Sequence, residues 1–154
     1  MEELRVKTIN LLLKRLRTRL GDLPKKVVTR DADGKEVEID NNIFTTDQLV
    51  AFLEASLCDF NCVPPFTMFT FDNYEVCDLI SSLLTQHAVY VALTSQALIE
   101  RGREYSISCN GNTFSSPQLS ELICHIGDKE YDRWYVKVKD VKREVHDKFW
   151  KEEE

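Results

Sequence analysis

Glycine and proline are scarce: the 154 residues hold five glycines and four prolines. The glycines do not cluster. No G-x-x-x-x-G-K-[ST], G-x-G-x-x-G or G-x-S-x-G is present, so no phosphate-cradling loop or nucleophile elbow is visible. CxxC and H-E-x-x-H are missing too. The cysteines number five, and an odd count argues against a secreted disulfide framework. Cys58 and Cys62 stand four apart, while Cys77, Cys109 and Cys124 are scattered. They read as reduced thiols packed as small hydrophobes, and no zinc site is expected. A secretory leader is not expected either: an apolar run begins at Ile9, but no small-residue cleavage site follows it.

Histidine is equally sparse. His87, His125 and His146 lie far apart in sequence, and each is expected to be a surface or hydrogen-bonded core residue, because nothing nearby in sequence orients it as a base. Cys124 and His125 are adjacent, but neighbours on a helix point about 100° apart and form no working pair. With no catalytic constellation, the expectation is a protein that is not an enzyme and takes no cofactor or metal.

What is present is a chain long enough for one domain that buries roughly two thirds of its unfolded surface without staples. Twenty basic and 26 acidic residues leave a formal charge of −6, which excludes a uniformly basic nucleic-acid binder. The charge is uneven. Residues 1–30 carry +6, so the remaining 124 carry −12. The 21 residues from Leu79 to Ile99 hold no charge, enough to cross a bilayer by length. Eight polar residues within that run, among them Gln86, His87 and Gln96, would be costly in lipid. The run therefore reads as a helix buried by protein, and no membrane partner is expected.

The fold class expected is mainly α: a helical core of about four helices with one or two β-hairpins, in a single domain over 1–154. A basic amphipathic helix occupies 1–21, with Ile9, Leu12, Leu13, Leu16 and Leu20 on one stripe and Gly21 as the stop. A hairpin follows over 26–40, around Asp33-Gly34. The helical core spans 45–150. Its first helix starts with Thr45 as N-cap, Gln48 closing a capping box, and Phe44 and Leu49 as a hydrophobic staple. Its second helix is placed over 73–101 with Asp72 as N-cap, Glu75 at N3 and Gly102 as the stop. Apolar residues fall on more than one face of it. In a chain this short, such a helix needs covering surface that self-association would supply. Between these helices, Phe60 to Phe71 holds four aromatics, two prolines and no charge, and is expected to pack over helices or another subunit. A hairpin over 103–114 turns at Asn110-Gly111, which places Ile107 opposite Phe114 and Cys109 opposite Asn112. Ser116 then caps a further helix with Pro117 at N1. Its apolar side is read as Leu119, Leu122, Ile123 and Ile126, with a kink or restart at Gly127-Asp128. A last stretch runs through Trp134, Val138 and Phe149 to a frayed end at 151–154.

The basic residues of the first helix form a solvated face, meet an acidic protein surface, or touch phosphates. No aromatic is interleaved among them, which disfavours single-strand binding.

One set of motifs carries a resemblance. It comprises Thr45-Thr46-Asp47-Gln48-Leu49, then Asp59-Phe60-Asn61 with Pro64-Pro65, then Phe69-Thr70-Phe71-Asp72. Ala97-Leu98-Ile99-Glu100-Arg101-Gly102-Arg103-Glu104-Tyr105-Ser106-Ile107-Ser108 follows, with Asn110-Gly111, Trp134 and Lys137 completing it. Over 45–142, about two thirds of the chain, this resembles virion structural proteins of tailed bacteriophages of the head-to-tail connector (neck or adaptor) type. Many such families place an Asp before the turn; Cys109 stands there here.

The resemblance implies a ring of many copies, often twelve, assembled in the host cytoplasm and located in the virion. Such a ring binds a portal protein on one side and an adjoining tail or neck protein on the other, and genomic duplex DNA passes through its lumen. Residues implied in interfaces are Tyr105, Ile107, Asn110, Gly111 and Phe114 on the second hairpin, Val91 and Leu98 on the long helix, and Arg15, Arg17 and Arg19 on the first helix. Alternatives within the virion are a tail terminator, a baseplate piece or a capsid auxiliary protein. Outside it, the alternative is a small cytoplasmic helical adaptor or DNA-binding regulator.

Overall fold

The structure, a computed structural model, describes residues 2–22, 26–30, 34–40, 42–109, 112–115 and 118–150. Pro24, the tip of the first hairpin at 31–33, the Asn110-Gly111 turn, Ser116 with Pro117, and the charged end at 151–154 lie outside the described residues. So do the side chains of Ile107, Cys109, Phe114 and Phe149.

The chain forms a mainly helical fold with a minor β part, in the order α1 (Glu2–Leu20), β1 (Lys26–Arg30), β2 (Glu36–Asp40), α2 (Thr46–Cys62), α3 (Tyr74–Arg101), β3 (Ser106–Cys109), β4 (Asn112–Ser115) and α4 (Leu119–Trp150). The strands make two separate antiparallel hairpins. In the first, Lys26 pairs with Asp40 and Arg30 with Glu36. In the second, Ile107 stands opposite Phe114 and Cys109 opposite Asn112, the register expected from the turn.

The helix ends follow local chemistry. At the end of α1, Gly21 adopts φ +66, its N–H reaches the Thr18 carbonyl, and the Asp22 N–H reaches the Arg17 carbonyl. This is a Schellman stop, which the left-handed residue makes possible. At the start of α2, Thr45 accepts from the Gln48 N–H, and the Gln48 side chain accepts from the Thr45 N–H. Phe44 and Leu49 are both buried beside this box. One cap differs from expectation. Asn73, not Asp72, caps α3: its side chain accepts from the Val76 N–H at 3.2 Å. Asp72 instead accepts from the Thr70 hydroxyl. Both residue types cap well, so local pattern does not separate adjacent candidates.

The long helix α3, about 40 Å at 1.5 Å per residue, is the centre of the fold; α1, α2 and α4 all pack on it. The core runs through Leu12 and Leu16 of α1, Leu49, Leu53 and Phe60 of α2, Ile80, Leu84, Ala88 and Ala92 of α3, and Trp134 and Val138 of α4. The expectation that one chain could not cover α3 needs correcting for its first half. Three helices of the same chain enclose most of residues 76–88, including Thr85, Gln86 and His87. The polar side chains there find partners nearby. Thr85 donates to the Ser81 carbonyl, Ser81 to the Asp78 carbonyl, and Gln86 to Glu130 on α4. Beyond Ala88 the cover thins, and Leu98 and Ile99 emerge into solvent. By length and composition α3 would also cross a membrane, and 61% of its most apolar window is buried within the chain.

Two expectations for α4 also change. It is one continuous helix through Gly127 and Asp128, with no restart. Its inward side is Ser120, Gly127, Trp134, Val138 and Lys142, whereas Leu119, Leu122 and Ile126 are exposed. The bulky indole of Trp134 has to face α3. Fixing the rotation there turns the seven-residue series 120, 127, 134 inward and the leucines outward.

Candidate functional site

Three places on the molecule hold chemistry worth building from the residues upward.

The first is the flank of α1 that meets α3. Lys14, Arg15, Thr18 and Arg19 face Ser81, Ser82 and Thr85 across an open groove of 560 Å³. Arg15 donates to the Ser81 hydroxyl and pairs with Asp78 at 3.2 Å. Arg19 donates to the Ser82 hydroxyl at 3.0 Å. Spacing along α1 puts Arg15 and Arg19 one turn apart, so both reach the same partner helix. Arg17 goes elsewhere. Its guanidinium pairs with Asp22 at 3.1 Å and donates to the Thr46 hydroxyl, and its side chain is 13% exposed. The two Asp22 oxygens accept the backbone N–H groups of Ile43 and Phe44. Arg17 and Asp22 therefore bind the end of α1 to the start of α2. Of the three arginines expected at an interface, two share the groove and one is turned into the fold.

The second place is the end of the bundle where α3 finishes and α4 begins. Leu98 is 68% exposed, and Ile99, Tyr105, Leu119, Leu122 and Ile126 are exposed beside the second hairpin. Glu104 organises this end: its carboxylate accepts the Ser120 backbone N–H at 2.9 Å. Hydrogen bonds from the Ser120 side chain and backbone hold the Glu104 carboxyl below its usual range. A carboxylate at the start of α4 also meets the positive end of the helix dipole. The structure thus brings Leu98 and Tyr105 to one end of the molecule. Val91 lies further back along α3 and is half-buried. The strands put Ile107 and Phe114 at the same end by register, while Asn110 and Gly111 lie outside the described residues.

The third place is around His87, which is almost fully buried. Its Nδ1 lies 3.3 Å from the Ser56 hydroxyl and its Nε2 lies 3.5 Å from the Asp59 carboxylate. Trp134 packs on the ring at a centroid distance of 4.2 Å, with Tyr90 and Tyr131 close by. Burial pushes the imidazole pKa down, and the Asp59 charge partly opposes it. Serine, histidine and aspartate meet here, yet the serine is sealed in the core and its hydroxyl donates to the Phe52 carbonyl at 2.6 Å. No substrate reaches such a hydroxyl, so the cluster reads as a packed polar core. Sequence had placed no partner near His87. Both partners sit on α2, 31 and 28 positions earlier, where only the fold reveals them.

Among the described residues, no three histidine, cysteine or acidic side chains gather where they would hold a metal ion. Cys58 and Cys62 lie side by side on the exposed side of α2, and their mutual contact raises the pKa of the Cys58 thiol.

No known family pattern, characterised protein or solved structure matches this chain.

Proposed function

We propose that the chain is a structural subunit of a tailed-phage virion, forming a ring in the neck that joins portal to tail, with no catalytic role. The observation that carries this reading is the end of the bundle built from the last turns of α3 and the first turns of α4. Leu98, Ile99, Leu119, Leu122 and Ile126 all face solvent there, next to a hairpin that projects from the same end. Scattered exposed leucines are ordinary on a monomer; several apolar side chains collected at one end mark a contact surface. A mainly helical body with a group of exposed apolar side chains at one end suits a subunit whose neighbours complete its cover. The residues that resemble phage connector proteins, Ala97 to Ser108, lie in this same region. In the proposed assembly this end meets a neighbouring copy and an adjoining neck or tail protein, while another face meets the portal. The −12 charge of residues 31–154 keeps the ring from holding the duplex that passes through it.

The test is made on purified virions of a phage that encodes the chain. Quantitative mass spectrometry should find it in a copy number close to that of the portal, and reconstruction of the neck should place it there. Removing residues 105–114 should leave a folded protein that no longer joins the particle. Absence from virions, or unchanged assembly after that deletion, overturns the proposal.

A further inference from the structure

We propose that the α1–α3 groove of one copy receives the outer face of α2 from the next copy, so that the ring is closed by a basic groove and an acidic helix of the same chain. The inference deepens the ring reading above and rests on it.

The groove supplies one half. Among the described residues, Lys14 and Arg19 line it without an acidic partner, while Arg15 is balanced by Asp78. It is therefore cationic, open, and floored by the hydroxyls of Ser81 and Ser82. The other half is on α2. That helix has three acidic residues and no basic one: Asp47, Glu54 and Asp59, all exposed. Between them the solvent face carries Ala51, Ala55 and Cys58, also exposed. Small side chains at this spacing let another helix approach closely, and flanking carboxylates meet long basic side chains arriving from it. Glu54 already accepts Arg5 of its own α1 at 3.5 Å, so this face takes arginine from α1 within one copy.

Two different surfaces of one chain that complement each other make a heterologous contact, and heterologous contacts close into rings when the rotation allows. A duplex phosphate backbone fits the groove less well. Two uncompensated cations are few for a tract of phosphates, and the net charge of −6 repels DNA at a distance. No matching acidic surface would then be needed on the same molecule, yet one is present.

Charge reversal tests it. The groove variant carries Lys14→Glu and Arg19→Glu, the face variant Asp47→Lys and Glu54→Lys, and a third protein carries all four changes. All altered residues lie at the surface, and matching thermal melts establish that each variant folds. Assembly is followed by native mass spectrometry and electron microscopy of portal-bound rings. The groove and face variants should each assemble at least tenfold less than the wild type. Mixed together they should form rings of alternating copies, because the reversed groove of one meets the reversed face of the other and their two native surfaces also match. The quadruple variant should regain rings. If the wild type forms rings and both double variants form them equally well, the docking is wrong and the ring reading survives. The docking is also wrong if the quadruple variant stays monomeric. If the wild type forms no ring with itself or on the portal, the ring reading fails and takes this inference with it. Loss of duplex retention in a gel shift by the groove variant, with rings intact, assigns the groove to DNA and overturns the proposal.

Discussion

The ammonium of Lys142 on α4 lies 2.9 Å from the carbonyl oxygen of Pro65, 77 positions earlier in the chain. It also donates to the carbonyls of Asn61 and Val63 and sits over the Phe60 ring at 4.8 Å. The side chain is almost fully buried, with three backbone carbonyls and an aromatic face in place of an acidic partner. Asn61 adds the rest of the clasp, accepting from Thr67 and from the Phe69 N–H and donating to the Phe69 carbonyl. The uncharged segment between α2 and α3 is thus pinned at its base, while Phe66 and Met68 stand out in solvent, 76% and 95% exposed.

Replacing Lys142 with Met keeps the length and removes every donor. The buried Val63 carbonyl and the part-buried carbonyls of Asn61 and Pro65 then lose this donor, and a loss of about 1–3 kcal/mol is expected. Urea unfolding measures the total. Hydrogen exchange locates it: the Thr67 and Phe69 amides, both bonded to Asn61, should exchange faster than those of the core helices. An unchanged exchange pattern would show that the clasp holds without its lysine.

The same burial makes stability depend on pH in the alkaline range. Desolvation brings the Lys142 pKa down to about 8, below the ordinary 10.5. Below pH 8 both folded and unfolded chains hold the proton, and this group adds no pH dependence. Between about 8 and 10.5 the folded chain releases it first, so the unfolded state binds more protons and stability rises with pH. The comparison is between wild type and Lys142→Met, whose other titrating groups are the same. The wild type should gain on the variant between pH 7.5 and 10, and a constant gap would contradict the shift.

Sequence made much of this architecture legible, and the reasons for the rest are physical. The stop at Gly21, the capping box at Thr45 and Gln48, and the second hairpin's register depend on residues close together in the chain, so local pattern suffices. The rotation of α4 does not. Leu119, Leu122 and Ile126 have apolar spacing, but the face that wins is set by what α3 offers: Tyr90 opposite Gly127 and His87 opposite Trp134. Arg17 shows the same limit at the candidate site. Its spacing matches a solvated basic face, and only the fold brings Asp22 and Thr46 within its reach. Lys142 was invisible for a further reason: a lysine among Val138, Val141 and Val145 reads as polar surface, and carbonyl partners leave no trace in side-chain pattern.

Trp134 separates volume from hydrogen bonding. It is the largest of the fully buried side chains, and its indole N–H has no hydrogen-bond partner among the described residues. Trp134→Ala should cost about 3–5 kcal/mol, through lost contacts and a cavity beside His87. Trp134→Phe should cost much less than that, because the donor it removes was bonded to nothing and the ring still covers the imidazole. Denaturant midpoints of the two variants decide the matter; similar losses in both would mean that the N–H has a partner after all.

Gly127 offers the sharpest contrast between pattern and packing. A glycine followed by aspartate inside a long helical run reads as a break, and at a break an alanine would do harm. In the structure α4 runs through it without a break, and Gly127 is buried against α3. A methyl group built there would meet the Tyr90 ring at 3.5 and 3.8 Å and the Leu93 side chain at 4.0 Å, ordinary contact distances. Glycine within a helix is about 0.8–1.0 kcal/mol less favourable than alanine. Gly127→Ala should therefore stabilise the protein by about 0.5–1 kcal/mol, raising the urea midpoint without changing the slope of the transition. Gly127→Leu carries far more bulk into the same space and should destabilise by about 1–3 kcal/mol. A destabilised alanine variant would return the glycine to its role as a break in α4.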